Sequence, residues 1–199
     1  TGSLATSNLI VVTQESPALA SPTAVSITAT SAALGGDVTT DGGATITERG
    51  IVYSVTAANN NPLIGGTGVT KVAGTGTTGV FTVAVTGLTP GTGYSYKAYA
   101  INSQGTSYTS VATFTTLSTN ADLSALTLSS GPLSPTFASG TTAYTASVAN
   151  AVSSITVTPT RAQADATTEA RVNGGTYAAV TSGSASGTLA LNVGSNTVE

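Results

Sequence analysis

Between Gly87 and Asn102 the chain reads GLTPGTGYSYKAYAIN, and this stretch leaves little choice of fold class. Thr89-Pro90-Gly91-Thr92-Gly93 is a turn: proline presets its own φ, and the two glycines admit φ > 0, so the backbone can reverse sharply. Strict alternation follows. Tyr94, Tyr96, Ala98 and Ala100 share one face, and Ser95, Lys97 and Tyr99 the other. A period of two over that length specifies a half-buried strand.

The same pattern recurs before and after it. Val25, Ile27 and Ala29 alternate, Ser31–Val38 follows, and Ile51 and Tyr53 share a face over Thr47–Ser54, with Arg49 continuing that face near the strand end. Ala57–Gly68 holds three Asn, one Pro and three Gly and reads as a long loop. Lys71-Val72-Ala73 reads as a brief edge strand, Phe81, Val83 and Val85 alternate, and Gly105–Thr116 carries Tyr108, Val111 and Phe114. Turn signals at this spacing predict a β-sandwich of seven strands over 22–117. No tryptophan is present, so Leu34, Ile51 and the tyrosines are expected to fill its core. Residues 118–121 read as a linker. In 122–199, alternation recurs at Tyr144, Ala146 and Val148, at Ile155 and Val157, and at Leu189, Leu191 and Val193. Ahead of all this lies a tail, 1–21, whose apolar run Leu9, Ile10, Val11 and Val12 within 8–14 reads as a spare strand.

Composition narrows the chemistry. Only 7% of residues are charged, against roughly a quarter in an average domain. A net charge of −3 gives no attraction to nucleic acid or anionic membrane. No run of about 18 apolar residues is present, so no membrane insertion is expected. The absence of Cys and His removes thiolate metal sites, cysteine nucleophiles, the usual general base and the commonest metal ligand. No serine has a histidine partner, so the chain is expected to be no enzyme and to need no cofactor. There is no Met even at position 1, so Thr1 reads as the start of a processed product or of a piece of something longer. A surface rich in Thr and Ser and poor in charge reads as extracellular and bacterial.

Specific phrases carry family resemblances. Tyr94, entering its strand directly after Leu88-Thr89-Pro90-Gly91, resembles the tyrosine corner of β-sandwiches, where the phenol bonds backbone a few residues upstream. With Thr47–Ser54 and NSQGTSYTSVATFTT over 102–116, the first domain resembles bacterial fibronectin type III-like modules. LSALTLSSGPLSPTF, TTAYTASVANAVSSITVTPT and SGSASGTLALNVGSNTV resemble the cadherin-like β-sandwich modules of bacterial surface proteins. That resemblance implies adhesion, glycan contact or spacing. It also implies that the NVGSNT phrase opens a strand followed by others, so the second sandwich is expected to lack its closing strands.

Candidate sites are few. Asp37, Asp41 and Glu48, and Asp122, Asp165 and Glu169, show no calcium-loop spacing and read as solvated carboxylates. Glu48, Arg49, Arg161 and Arg171 read as exposed charges, Lys71 and Lys97 as remote candidates for an isopeptide bond, and Tyr53, Tyr99, Tyr108 and Tyr177 as part-exposed aromatics. The predicted fold is all-β, two tandem immunoglobulin-like sandwiches. The expected function is a structural subunit of an extracellular, cell-surface fibre whose partner is another copy of itself. Leu9, Ile10, Val11 and Val12 of one copy would fill an acceptor edge formed by Leu189, Leu191, Val193 and Val198 of the next. The alternatives are a spacer in a long cell-surface adhesin, or a carbohydrate-binding accessory module of a secreted enzyme; surface glycans are the second candidate partner.

Overall fold

A computed structural model describes residues 13–199, and those residues are all-β, with no helix among them. The chain divides into two compact units at Leu117/Ser118.

In the first unit, β1 (Ala18–Val25), β2 (Ser31–Thr40) and β5 (Gly79–Thr86) form one antiparallel sheet in the order β1-β2-β5. The second sheet is built on β6 (Gly93–Asn102), with β3 (Glu48–Val55) and then β4 (Thr70–Gly74) on one side. On its other side lie β7 (Gly105–Tyr108) and β8 (Ala112–Thr115). Alternation places Phe81, Val83 and Val85 inward, while Val80, Thr82 and Ala84 face water. They meet Leu34, Ile51, Tyr96 and Ala98 in a core that fills without an indole. Phe114 stacks on Tyr94 at 5.4 Å and meets the edge of Tyr96 at 5.9 Å, arrangements that aromatic quadrupoles favour.

The first strand begins at Ala18, earlier than the alternation at Val25 suggests. Pro22 lies within it, tolerated because β1 is an edge strand whose register slips between Ala20 and Thr23. Residues ahead of it are also bound, the Glu15 N–H donating to Gly42 O at 2.8 Å.

The outer face of the second sheet is covered as well. Val52, Ser54, Ser95 and Tyr99 point away from the core, yet all four are buried. The segment 56–69 lies over part of this face, with Gly68 beside Ser54. Pro62 is fully buried, Ile64 N–H donates to the Tyr108 hydroxyl at 3.2 Å, and Thr56 Oγ1 bonds Ser95 Oγ at 3.0 Å. Tyr99, expected part-exposed, is 0% exposed, with Glu48, Lys71 and the Tyr108 ring against it.

The second unit has shorter ladders. β9 (Leu123–Leu128) pairs with β11 (Val157–Arg161), β10 (Ser154–Ile155) with β14 (Leu189–Ala190), and β12 (Glu169–Ala170) with β13 (Ala178–Ala179). Thr197–Glu199 runs back along Arg171–Asn173, through the Val172–Val198 bridge and both Arg171–Glu199 backbone bonds. Ile155, Val157, Ala170, Val180 and Leu189 make a small core. The alternation at Tyr144, Ala146 and Val148 yields only an isolated bridge, Ser134–Thr145; the Tyr144 hydroxyl instead bonds Ala138 N–H and C=O.

Candidate functional site

Three polar devices hold the first unit. At the corner, Leu88 is buried and its N–H donates to Thr30 O at 3.0 Å. Half-buried Pro90 and Gly91, at φ 60°, make the reversal. The Tyr94 hydroxyl accepts the Thr89 N–H at 2.9 Å. Thr116 closes the same turn, donating to Thr89 O at 2.6 Å and accepting the Thr92 N–H at 2.9 Å. Tyr94→Phe removes the acceptor of a part-buried N–H and is expected to cost about 1 kcal/mol. Urea unfolding followed by tyrosine fluorescence checks this, with Tyr53→Phe as the control.

Arg49 corrects the reading of an exposed charge: it is 7% exposed, on the inward face with Ile51 and Tyr53. Its guanidinium donates to the carbonyls of Thr75 (2.7 Å), Thr77, Thr78 and Gly79 (3.0 Å each), and lies 4.6 Å above the Phe81 ring. Those carbonyls line the crossover by which the chain leaves β4 in one sheet for β5 in the other. Burial pushes the guanidinium below its usual pKa, but not out of its charged form.

Glu48, on the outer face of the same strand, accepts hydrogen bonds from the Tyr99 hydroxyl and from Lys71 Nζ, the latter at 2.8 Å. Those two donors hold its carboxyl below the usual carboxylate range. Burial, with Glu48 beside it, holds the Tyr99 phenol above its own. Lys71 thus has a glutamate and an aromatic ring as its neighbours.

Two further carboxylates cap backbone N–H groups. Asp41 Oδ1 accepts the Gly43 N–H at 2.9 Å, and Asp165 Oδ2 accepts the Ser118 N–H at 2.7 Å. Among the described residues no three metal-ligating groups converge, and no helix is long and apolar enough to cross a membrane.

The expected assembly residues separate in space. Leu189 is buried in the second core and Leu191 packs against it, its N–H on Ser153 O at 2.8 Å. Val193 is 84% exposed. The strand stops before it because Asn196 takes the place of a strand neighbour. The Asn196 amide accepts the Asn192 N–H at 2.9 Å and donates to Asn192 O at 2.8 Å, while Gly194 turns at φ 103°. Val198, 37% exposed, pairs with Val172. Bonding through Leu189 and Leu191 turns the N–H and C=O of Ala190 away from β10. Beside Leu189 opens a hollow of about 280 Å³, walled by Ala170, Val172, Ala178, Val180 and Thr188. At its rim Arg171 forms two hydrogen bonds to the Glu199 carboxylate, at 2.8 and 2.9 Å, and lies 4.2 Å above the Tyr177 ring. Leu9, Ile10, Val11 and Val12 lie outside the described residues.

Residues 123–199 match the family model of the cadherin-like beta sandwich domain, so the second unit carries a cadherin-like domain. No curated protein matches the chain. Among solved structures, domains A168–A170 of titin align at 19% identity and TM-score 0.39, over 52% of this chain and 32% of the titin chain. This chain therefore spans about a third of the titin structure. The sensor domain of the anti-sigma factor RsgI4 of Pseudobacteroides cellulosolvens aligns at 22% identity and TM-score 0.38, over 51% of this chain and 95% of that one. A structure described as a myokine aligns at 20% identity and TM-score 0.38, over 53% and 99%.

Proposed function

We propose that the chain is a non-enzymatic structural building block of a bacterial extracellular surface protein, its first unit a fibronectin type III-like sandwich. One observation carries this reading. In the first unit the side chains with most chemical capacity are engaged by the fold itself. Arg49 holds a crossover, Tyr94 a corner, and Glu48 a phenol and an ammonium. Such groups confer rigidity, and rigidity is what a load-bearing or spacing module needs.

The finer reading is a fibre built head to tail. Two-residue ladders leave sheet edges open, and an extended apolar strand can add to such an edge. Within the segment 8–14, Leu9, Ile10, Val11 and Val12 would add along the outward side of Leu189–Ala190 and cover the hollow beside Leu189. Contacts of this kind do not close and so extend into filaments.

Light scattering and electron microscopy of the purified protein test it. Filaments are expected from the native chain, and a single 19.2 kDa species from a double variant, Ile10→Asp with Val12→Asp. A native chain that stays at that mass at every concentration overturns the fibre. It would leave the spacer reading, which is favoured by the pairing of Arg171–Asn173 with Thr197–Glu199 inside one copy.

A further inference from the structure

Asn102 ends β6 with a buried carboxamide whose four hydrogen-bonding positions are all used. Its Oδ1 accepts the N–H groups of Gln104 (2.9 Å) and Gly105 (3.2 Å), which shapes the β6–β7 turn. Its Nδ2 donates to the carbonyls of Asp41 and Glu15, each at 2.7 Å. The second of these lies 87 residues away in sequence, in the segment that leads into β1.

That leading segment is held from several sides. The Glu15 N–H donates to Gly42 O at 2.8 Å, and Gln14 Nε2 donates to Gly43 O at 3.1 Å. Gln104 Nε2 reaches Gln14 Oε1 at 3.2 Å, and Pro17 is buried. Glycine at 42 permits the approach: a Cβ there would lie 2.1 Å from Glu15 O, and the residue sits at φ 70°. A surface segment of three or four residues does not ordinarily have both its N–H and its C=O bonded by a cradle built from two distant loops.

We propose that the Gly42–Asn102 cradle is a directional joint. It grips the backbone at Glu15 and so fixes the heading with which the polypeptide enters the first sandwich. Tension arriving from upstream then meets Asn102 and the 41–43 turn before it reaches the β1–β2 ladder. The joint has a purpose only if the chain is a structural element, but its test does not depend on polymer formation.

The test is digestion of the full chain with a glutamate-specific endoprotease, the products read by mass spectrometry. The Glu15–Ser16 bond reports the joint, and the Glu48–Arg49 bond, inside β3, reports the whole sandwich. Asn102→Asp keeps the acceptor for Gln104 and Gly105 but loses both donors, and it sets a carboxylate against two carbonyls. Asn102→Ala loses all four bonds. The native Glu15–Ser16 bond is expected to resist, and each variant to be cut there at least tenfold faster with Glu48–Arg49 intact. Equal cutting at Glu15–Ser16 in the native chain and Asn102→Asp overturns the joint. So does cleavage at Glu48–Arg49 in step with Glu15–Ser16 in both variants, because Asn102 would then be a pillar of the whole sandwich.

Discussion

Arg49→Met will lower the stability of the first unit by about 3 kcal/mol, although methionine fits the apolar part of the arginine's path. Four carbonyls, of Thr75, Thr77, Thr78 and Gly79, lose one common donor. Hydrogen bonds from a charged group are worth roughly 1.5–3 kcal/mol each. The sum would be larger, but Thr75 and 77–79 are exposed, so water recovers part of the loss. Arg49→Lys should recover less than half of the deficit, since a single ammonium cannot span carbonyls that the planar fork reaches from two nitrogens. Urea unfolding followed by tyrosine fluorescence measures both. A methionine variant within about 0.5 kcal/mol of the native protein, the ordinary range for a surface change, would show that the crossover holds without its cation.

Gly50→Ala is expected to cost at least as much, about 3 kcal/mol or more, through crowding rather than through a lost bond. A Cβ at this position would lie 2.2 Å from Val72 O, 2.8 Å from the Tyr99 hydroxyl and 2.9 Å from Ala73 Cα. Two of those atoms are backbone of β4, so the edge strand must move. The third is the phenol that Glu48 holds. The double variant Gly50→Ala with Tyr99→Phe separates the terms. Removing the hydroxyl relieves one contact and leaves the other two, so rescue should be partial. Full rescue would place all the strain on Tyr99. Calorimetric midpoints of the single and double variants give the comparison.

How much of this was legible depended on whether a residue's surroundings are local in sequence. The strand from Gly93 to Asn102 was plain because its period and its preceding turn lie in one window. Arg49 was half-legible. Its parity with Ile51 and Tyr53 put it on the inward face, but its acidic neighbour, Glu48, points to the opposite face, and a charge with no partner on its own face reads as solvated. Its partners are carbonyls of a crossover some 26 to 30 residues on. Tyr99 shows the converse: parity placed it on the outer face, and so it is, but period two cannot tell that Glu48, Lys71 and Tyr108 will close around it. Asn102 carried only a weak signal, an asparagine opening Ser103-Gln104-Gly105; nothing in that window points to Glu15. In the second unit the alternation at Leu189, Leu191 and Val193 runs past the strand, which ends at Ala190, because Asn196 competes for the Asn192 backbone.

The segment 56–69 bears on how this scaffold can be altered. Connections between strands are ordinarily where insertions, deletions and grafted peptides are accepted. Here the longest connection of the first unit roofs part of a sheet, with Pro62 fully buried in it, Thr56 bonded to Ser95 and Gly68 beside Ser54. Shortening it, or replacing it with a foreign sequence, would bare a greasy sheet face and leave the Tyr108 hydroxyl without the Ile64 amide. Diversification belongs instead at Thr77 and Thr78, whose side chains face solvent, provided the carbonyls that Arg49 grips keep their places; Gly76 is excluded, since a Cβ there would lie 2.5 Å from Arg49 Nη2.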